Sequence, residues 1–151
     1  MMSVVALLAL AAAAPQRQSV TFVVSPRSSL RNLSAGELRR IFLGRTSRWP
    51  NRRRVVVCLR PTDSPEGAIM LERVARMSEI DYSQNWLGAV FRGDVSSVPR
   101  IYGSRDALIK TVAGDEDAIG FVLTSEKAVT PARSITIDGK APDDASYPVA
   151  H

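Results

Sequence analysis

A short segment after an apolar run combines the groups best suited to bind an anion. The segment LRPTDSPEG, residues 59–67, holds an arginine, two hydroxyls, an aspartate, two prolines and a glycine. A strand that ends here delivers the loop to the start of a helix, whose free N–H groups and positive dipole end favour oxyanions. The arginine offers a bidentate contact, and the glycine allows a ligand to approach closely. The predicted ligand is phosphate or a similar oxyanion, and the predicted binding residues are Arg60, Thr62, Asp63, Ser64 and Gly67.

The same segment also has an explanation without a ligand. Pro65 suits the first position of a helix, which makes Ser64 its N-cap. Asp63 and Glu66 place two carboxylates at that helix end, where they satisfy the dipole and repel an anion. One acid can accept a hydrogen bond from a protonated oxyanion, but two are harder to reconcile with binding. The residues alone leave anion binding and simple helix capping as alternatives.

Several classes of site are excluded by residue type. The chain has one histidine, His151, and one cysteine, Cys58, which lies in an apolar run and is expected to be buried and inert. No catalytic triad, zinc site or cofactor motif can be assembled, so we expect neither an enzyme nor a resident cofactor or metal. The three adjacent acids 115–117 lack the alternate spacing of a calcium loop and are expected to form a solvated turn.

Positive charge is concentrated in one part of the chain. The net charge is +5, and residues 39–54 carry seven arginines and no acid. This Arg39–Arg54 face is either a solvated basic surface or a contact for nucleic acid, acidic lipid or an acidic partner. Nucleic acid is the least favoured of these partners, because the chain also begins like an exported protein.

The first residues resemble an export signal. The apolar stretch 4–14 has the length of a signal core and is too short to span a bilayer, and alanines 11–13 offer a small-x-small cleavage pattern. Residues 1–14 are therefore expected to be a signal peptide of a periplasmic or secreted protein, with a buried N-terminal helix as the alternative. We expect no transmembrane span in the mature chain.

Hydrophobic periodicity predicts alternating strands and helices. Strand-like runs cover 19–24, 54–59, 118–123 and 134–137, and helices are predicted to begin at Ser34, Pro65, Ser78 and Ser104. This order predicts an α/β fold with a mostly parallel sheet flanked by helices. The domain is expected to span residues 19–140, and residues 141–151 are expected to form a loose C-terminal tail.

Three stretches, in order, resemble the phosphate-specific periplasmic binding proteins. They are LRRIFLGRTSRW at 38–49, the strand and loop at 55–67, and DAIGFV at 117–122. The resemblance implies one lobe of a type II periplasmic-binding-protein fold, an extracytoplasmic location and phosphate delivery to an ABC permease. Arg60 and Ser64 match the family's loop by type, and Asp63 matches with a shift of one residue.

The departures from that family weaken the expected binding. The chain is about half the family's length, so the loops of the other lobe have no counterpart, and Pro65 and Glu66 replace a Gly-Thr pair. A site on one lobe leaves a ligand half solvated. Two hypotheses result: a phosphate-transport-like protein with weak phosphate or oxyanion binding, or a degenerate lobe that acts as an interaction module with an envelope protein through the Arg39–Arg54 face.

Overall fold

The fold is a mixed sheet with helices on both faces. The computed structural model describes residues 17–125 and 127–150. Its main sheet has the strand order β4-β3-β5-β1-β6, with β1 at Val20–Val24, β3 at Val56–Leu59, β4 at Arg100–Ile101, β5 at Ala118–Leu123 and β6 at Arg133–Ser134. A two-stranded parallel sheet pairs β2, Asn32–Leu33, with β7, Thr136–Ile137.

Most strands of the main sheet run in one direction. β3 pairs in parallel with β4 and β5, whereas β1 is antiparallel to both β5 and β6. β1 is thus the one strand of the main sheet that runs opposite to its neighbours. The predicted α/β class with a mostly parallel sheet is confirmed.

Helix starts are encoded locally and match the predicted positions. The helices are α1 at Ala35–Phe42, α2 at Pro65–Ile69, α3 at Glu79–Phe91 and α4 at Arg105–Gly114, and a π-helical segment, Met70–Ala75, continues α2. Ser34 and Glu37 form a reciprocal capping box before α1. Ser78 and Ser104 each accept an N–H from the residue three positions on.

Two apolar clusters lie on opposite faces of the sheet. On one face the rings of Phe22, Phe42 and Phe121 pack with centroids 5.4–6.0 Å apart, next to α1 and α3. On the other face Val23 and Cys58 pack against α4. Alternate residues of one strand therefore contribute to different clusters.

The C-terminal part of the chain differs from its prediction. Residues 134–137 form two strands in different sheets, because the chain crosses from β1 to β2 at Ile135: its N–H bonds to the carbonyl of Phe22, while the next N–H bonds to that of Arg31. Residues 141–150, which were expected to be loose, pack against β1. The Tyr147 side chain is buried, and its hydroxyl donates to the carbonyl of Val20 at 2.7 Å.

Some predictions fall outside this description. The signal peptide at 1–14 and His151 lie outside the described residues. Within the described ranges, no helix is both long enough and apolar enough to cross a bilayer.

Candidate functional site

The loop at 60–67 connects the carboxyl end of β3 to the first turn of α2, as its sequence predicts. Ser64 is the N-cap, and its hydroxyl accepts the N–H of Gly67 at 3.1 Å and donates to the carbonyl of Pro61 at 2.6 Å. Pro65 lies in the first turn, where its missing N–H has no consequence. The serine is therefore fully engaged in holding the loop to the helix.

Gly67 is required by this close packing. A β-carbon at this position would meet the Pro61 carbonyl group, with the carbonyl carbon at 2.8 Å and the α-carbon of Thr62 at 2.9 Å. The space that the sequence suggested for a ligand is filled by the loop's own backbone. The glycine allows the chain to fold back over the start of the helix.

Arg60 forms a buried ion pair with Glu66. Its Nε donates to the Glu66 carboxylate at 2.6 Å, and one terminal nitrogen donates to the carbonyl of Tyr102 at 2.6 Å. The two side chains are 12% and 7% exposed. Because both charges are largely removed from water, each depends on the other for compensation.

The other two predicted residues point in different directions. The Thr62 hydroxyl donates to the Glu79 carboxylate at 2.6 Å, which connects the loop to the first turn of α3. Asp63 is exposed. The structure thus brings together Arg60, Ser64 and Gly67 around the start of α2, and connects Thr62 to a neighbouring helix.

Sequence reasoning did not identify two carboxylates as contacts of this loop. Glu66 was assigned to the helix dipole, and Glu79 to no role. For Glu66 a signal exists, since an acid in the first turn of a helix lies close to an arginine at the end of the preceding strand. For Glu79 the contact depends on how α3 packs, which no local pattern reports.

The structure bears out the expected burial of Cys58 and corrects the expectation for the acids 115–117. Cys58 is buried, and burial raises the pKa of its thiol to about 11. The acids 115–117 are not simply a solvated turn, because Arg53 forms ion pairs with both Glu116 and Asp117. The basic segment and the acidic segment therefore partly neutralise each other in space.

Solved structures that share this fold include receptors and binding proteins for phosphate. An ABC-type phosphate transport receptor from Vibrio cholerae matches with a TM-score of 0.70 at 15% identity, covering 89% of this chain and 54% of the receptor. PstS from Borrelia burgdorferi matches at 0.69 and 13% identity, with coverages of 89% and 55%. A phosphate binding protein from Stenotrophomonas maltophilia matches at 0.56 and 19% identity, with coverages of 86% and 42%.

These matches concern the fold. This chain spans about half the length of the solved structures that it matches. No protein-family model and no curated protein sequence matches it. What this chain shares with the solved phosphate-binding proteins is an α/β fold that covers about half of their length.

Proposed function

We propose that the chain is an exported, phosphate-receptor-like lobe that binds phosphate or a similar oxyanion weakly at residues 60–67. The position of the loop carries the proposal: Arg60, Thr62 and Ser64 follow the carboxyl end of a parallel strand, where ligands collect in open α/β sheets. The fold shared with phosphate receptors supports the same ligand class.

The ion pair with Glu66 explains why binding is weak. An incoming oxyanion competes with a carboxylate that already lies 2.6 Å from the Arg60 Nε. The Ser64 hydroxyl and the Gly67 N–H are likewise engaged with each other and with Pro61. Binding therefore requires the loop to exchange internal hydrogen bonds for bonds to the ligand, which leaves little net gain.

Calorimetry on two matched variants tests this mechanism. We expect phosphate to bind wild type weakly, and Glu66→Gln to bind it about tenfold more tightly because the guanidinium is released. Asp106→Asn, which removes one exposed carboxylate from the first turn of α4, is the control for net charge and is expected to behave as wild type. The proposal fails if no heat accompanies millimolar phosphate in wild type and Glu66→Gln, or if both variants gain equally.

Export and transport follow from the same proposal. We infer a periplasmic or secreted location with residues 1–14 removed, a domain that begins at residue 19 and includes the packed segment 141–150, and an ABC permease as the partner. The mature N-terminus of protein from the native cell is expected to lie after residue 14. A native protein that retains residues 1–14 contradicts export.

A second candidate is an interaction module without a ligand. The observation that favours it is the internal compensation of Arg60 by Glu66, together with exposed arginines that remain on the Arg39–Arg54 face. Arg39 itself turns inward and donates to the carbonyl of Ala75 at 3.2 Å. If Arg40→Glu with Arg45→Glu abolishes a cross-linked envelope complex while phosphate gives no heat, this candidate replaces the first.

A further inference from the structure

A cleft lies beside β3 and β4 of the main sheet. It has a volume of about 970 Å³ and is bordered by residues 54–58, which lead into and form most of β3, and by the segment 93–100 that leads into β4. The 60–67 loop instead follows the carboxyl end of β3. The volume is at the upper end of the range for small-molecule sites and far exceeds that of a phosphate ion.

Three arginines line this cleft: Arg48, Arg54 and Arg100. Within the part of the chain that the structure describes, neither Arg54 nor Arg100 makes a side-chain hydrogen bond or ion pair. Arg48 uses one terminal nitrogen on the carbonyl of Arg52, at 2.8 Å. The cleft therefore presents guanidinium groups with free donors.

Two of these arginines face each other directly. Arg48 and Arg54 are partners in an isolated antiparallel bridge, so their side chains lie on the same face of the 47–55 turn. Like charges in directly opposite positions are destabilising, and no acid lies between them in the pairing. An anion bound between two guanidinium groups removes this repulsion.

The two acids on the cleft wall do not cancel the arginines. Asp94 pairs with Arg92 at 3.0 Å. Asp115 accepts the backbone N–H of Asp117 at 2.9 Å and keeps its charge, so one carboxylate faces three arginines and the lining stays positive. Hydroxyl donors are supplied by Ser47, Ser96 and Ser97, and apolar surface by Val56 and Trp86. The lining thus combines a positive, donor-rich part with an apolar part.

We propose that this cleft binds an organic phosphate monoester, with the dianionic group held among Arg48, Arg54 and Arg100 and the organic part against the apolar wall. Guanidinium forks and hydroxyls match phosphate oxygens, and two negative charges match two uncompensated arginines. This proposal does not rest on the proposed function, because none of the five predicted loop residues lines the cleft; Tyr102 of the lining connects the two, since its carbonyl accepts a hydrogen bond from Arg60.

Amide NMR titration with phenyl phosphate tests the proposal, with inorganic phosphate and benzyl alcohol as comparison ligands. We expect phenyl phosphate to shift amides within 96–100 more strongly than either comparison ligand at equal concentration. Arg54→Gln and Arg100→Gln are each expected to weaken this binding about tenfold. Arg45→Gln removes the same charge from an exposed arginine outside the cleft and is expected to change it less than twofold.

The outcomes separate this site from the loop. Equal weakening in all three variants indicates diffuse electrostatic attraction and overturns the proposal, as does benzyl alcohol binding as well as phenyl phosphate. Shifts confined to 60–67 also overturn it, while they support the proposed function. Shifts at 96–100 with a silent 60–67 loop support the cleft and count against the loop. Melting temperatures of the variants verify that each is folded.

Discussion

At the scale of single residues, Gly67 shows how tightly the loop closes on its helix. Gly67→Ala places a methyl group against the backbone of Pro61 and Thr62, which cannot move without breaking the cap. Overpacking of this kind costs about 3 kcal/mol, and the better helix propensity of alanine offsets about 1 kcal/mol of it. We expect a net loss of about 2 kcal/mol in the free energy of unfolding, measured by urea denaturation.

A matched control exists in the same chain. Gly103 precedes the N-cap of α4, and an added β-carbon there meets no atom within 4 Å. Gly103→Ala is therefore expected to leave stability within about 0.5 kcal/mol of wild type. Equal effects at both glycines contradict the steric argument.

The buried thiol gives a pH-dependent prediction. Burial raises the pKa of Cys58 from 9.0 to about 11, so the folded state favours the neutral thiol. Its contribution is complete below pH 9 and is lost as pH rises from 9 to 11, by at most about 2.7 kcal/mol. The unfolding free energy of Cys58→Ala is expected to fall less steeply than that of wild type in this window. Parallel pH profiles contradict the assignment.

The loop at 60–67 shows which contacts can be predicted from residue types and which cannot. The residue types identified Ser64 as a cap and Pro65 as a helix start, because both act through their own backbone neighbourhood. The ion pair was missed because it depends on which rotamer a long side chain adopts in the folded protein. Oxyanion binding by the five predicted loop residues stays a prediction.

At the scale of elements, the turn at 47–55 contains a testable repulsion. Arg48 and Arg54 face each other across the bridge. Replacing Arg54 with glutamine removes one charge and keeps a similar stem, so we expect a gain of about 0.2–1 kcal/mol in stability at low salt. The gain should shrink at 1 M NaCl, where the Debye length is about 3 Å. A gain that is independent of salt points to packing instead of charge.

Some helices and strands could be predicted from the sequence, and others could not. Helices with a serine cap and long buried strands carry their own signal, and their predicted positions are confirmed. The two-residue strands β2 and β4 were missed, because they exist through pairing with a distant partner. The split at Ile135 was missed for the same reason, since the alternating run Ser-Ile-Thr-Ile at 134–137 does not reveal that its two halves pair with different sheets.

At the scale of the whole molecule, charges that are separate in sequence meet in space. Arg53 comes from the segment without acids, and its partners Glu116 and Asp117 come from the acid-rich part of the chain. Trp49 also bonds to the carbonyl of Asp117, at 2.9 Å. The sequence distribution of charge therefore overstated how basic the Arg39–Arg54 face is in the folded protein.

The C-terminal segment, residues 141–150, completes the core next to β1, so substitutions in it should lower stability according to how much buried surface they remove. The N–H of Val20 bonds to the carbonyl of Val149 at 3.1 Å, and Tyr147 is 2% exposed. Tyr147→Ala removes a buried ring and is expected to cost about 3–5 kcal/mol, whereas Tyr147→Phe removes only the bond to the Val20 carbonyl and is expected to cost about 1 kcal/mol. Chemical denaturation measures both. Asp143→Ala, at an exposed position of the same segment, is expected to be neutral. If Tyr147→Ala is as stable as Asp143→Ala, the segment does not contribute to the core in solution.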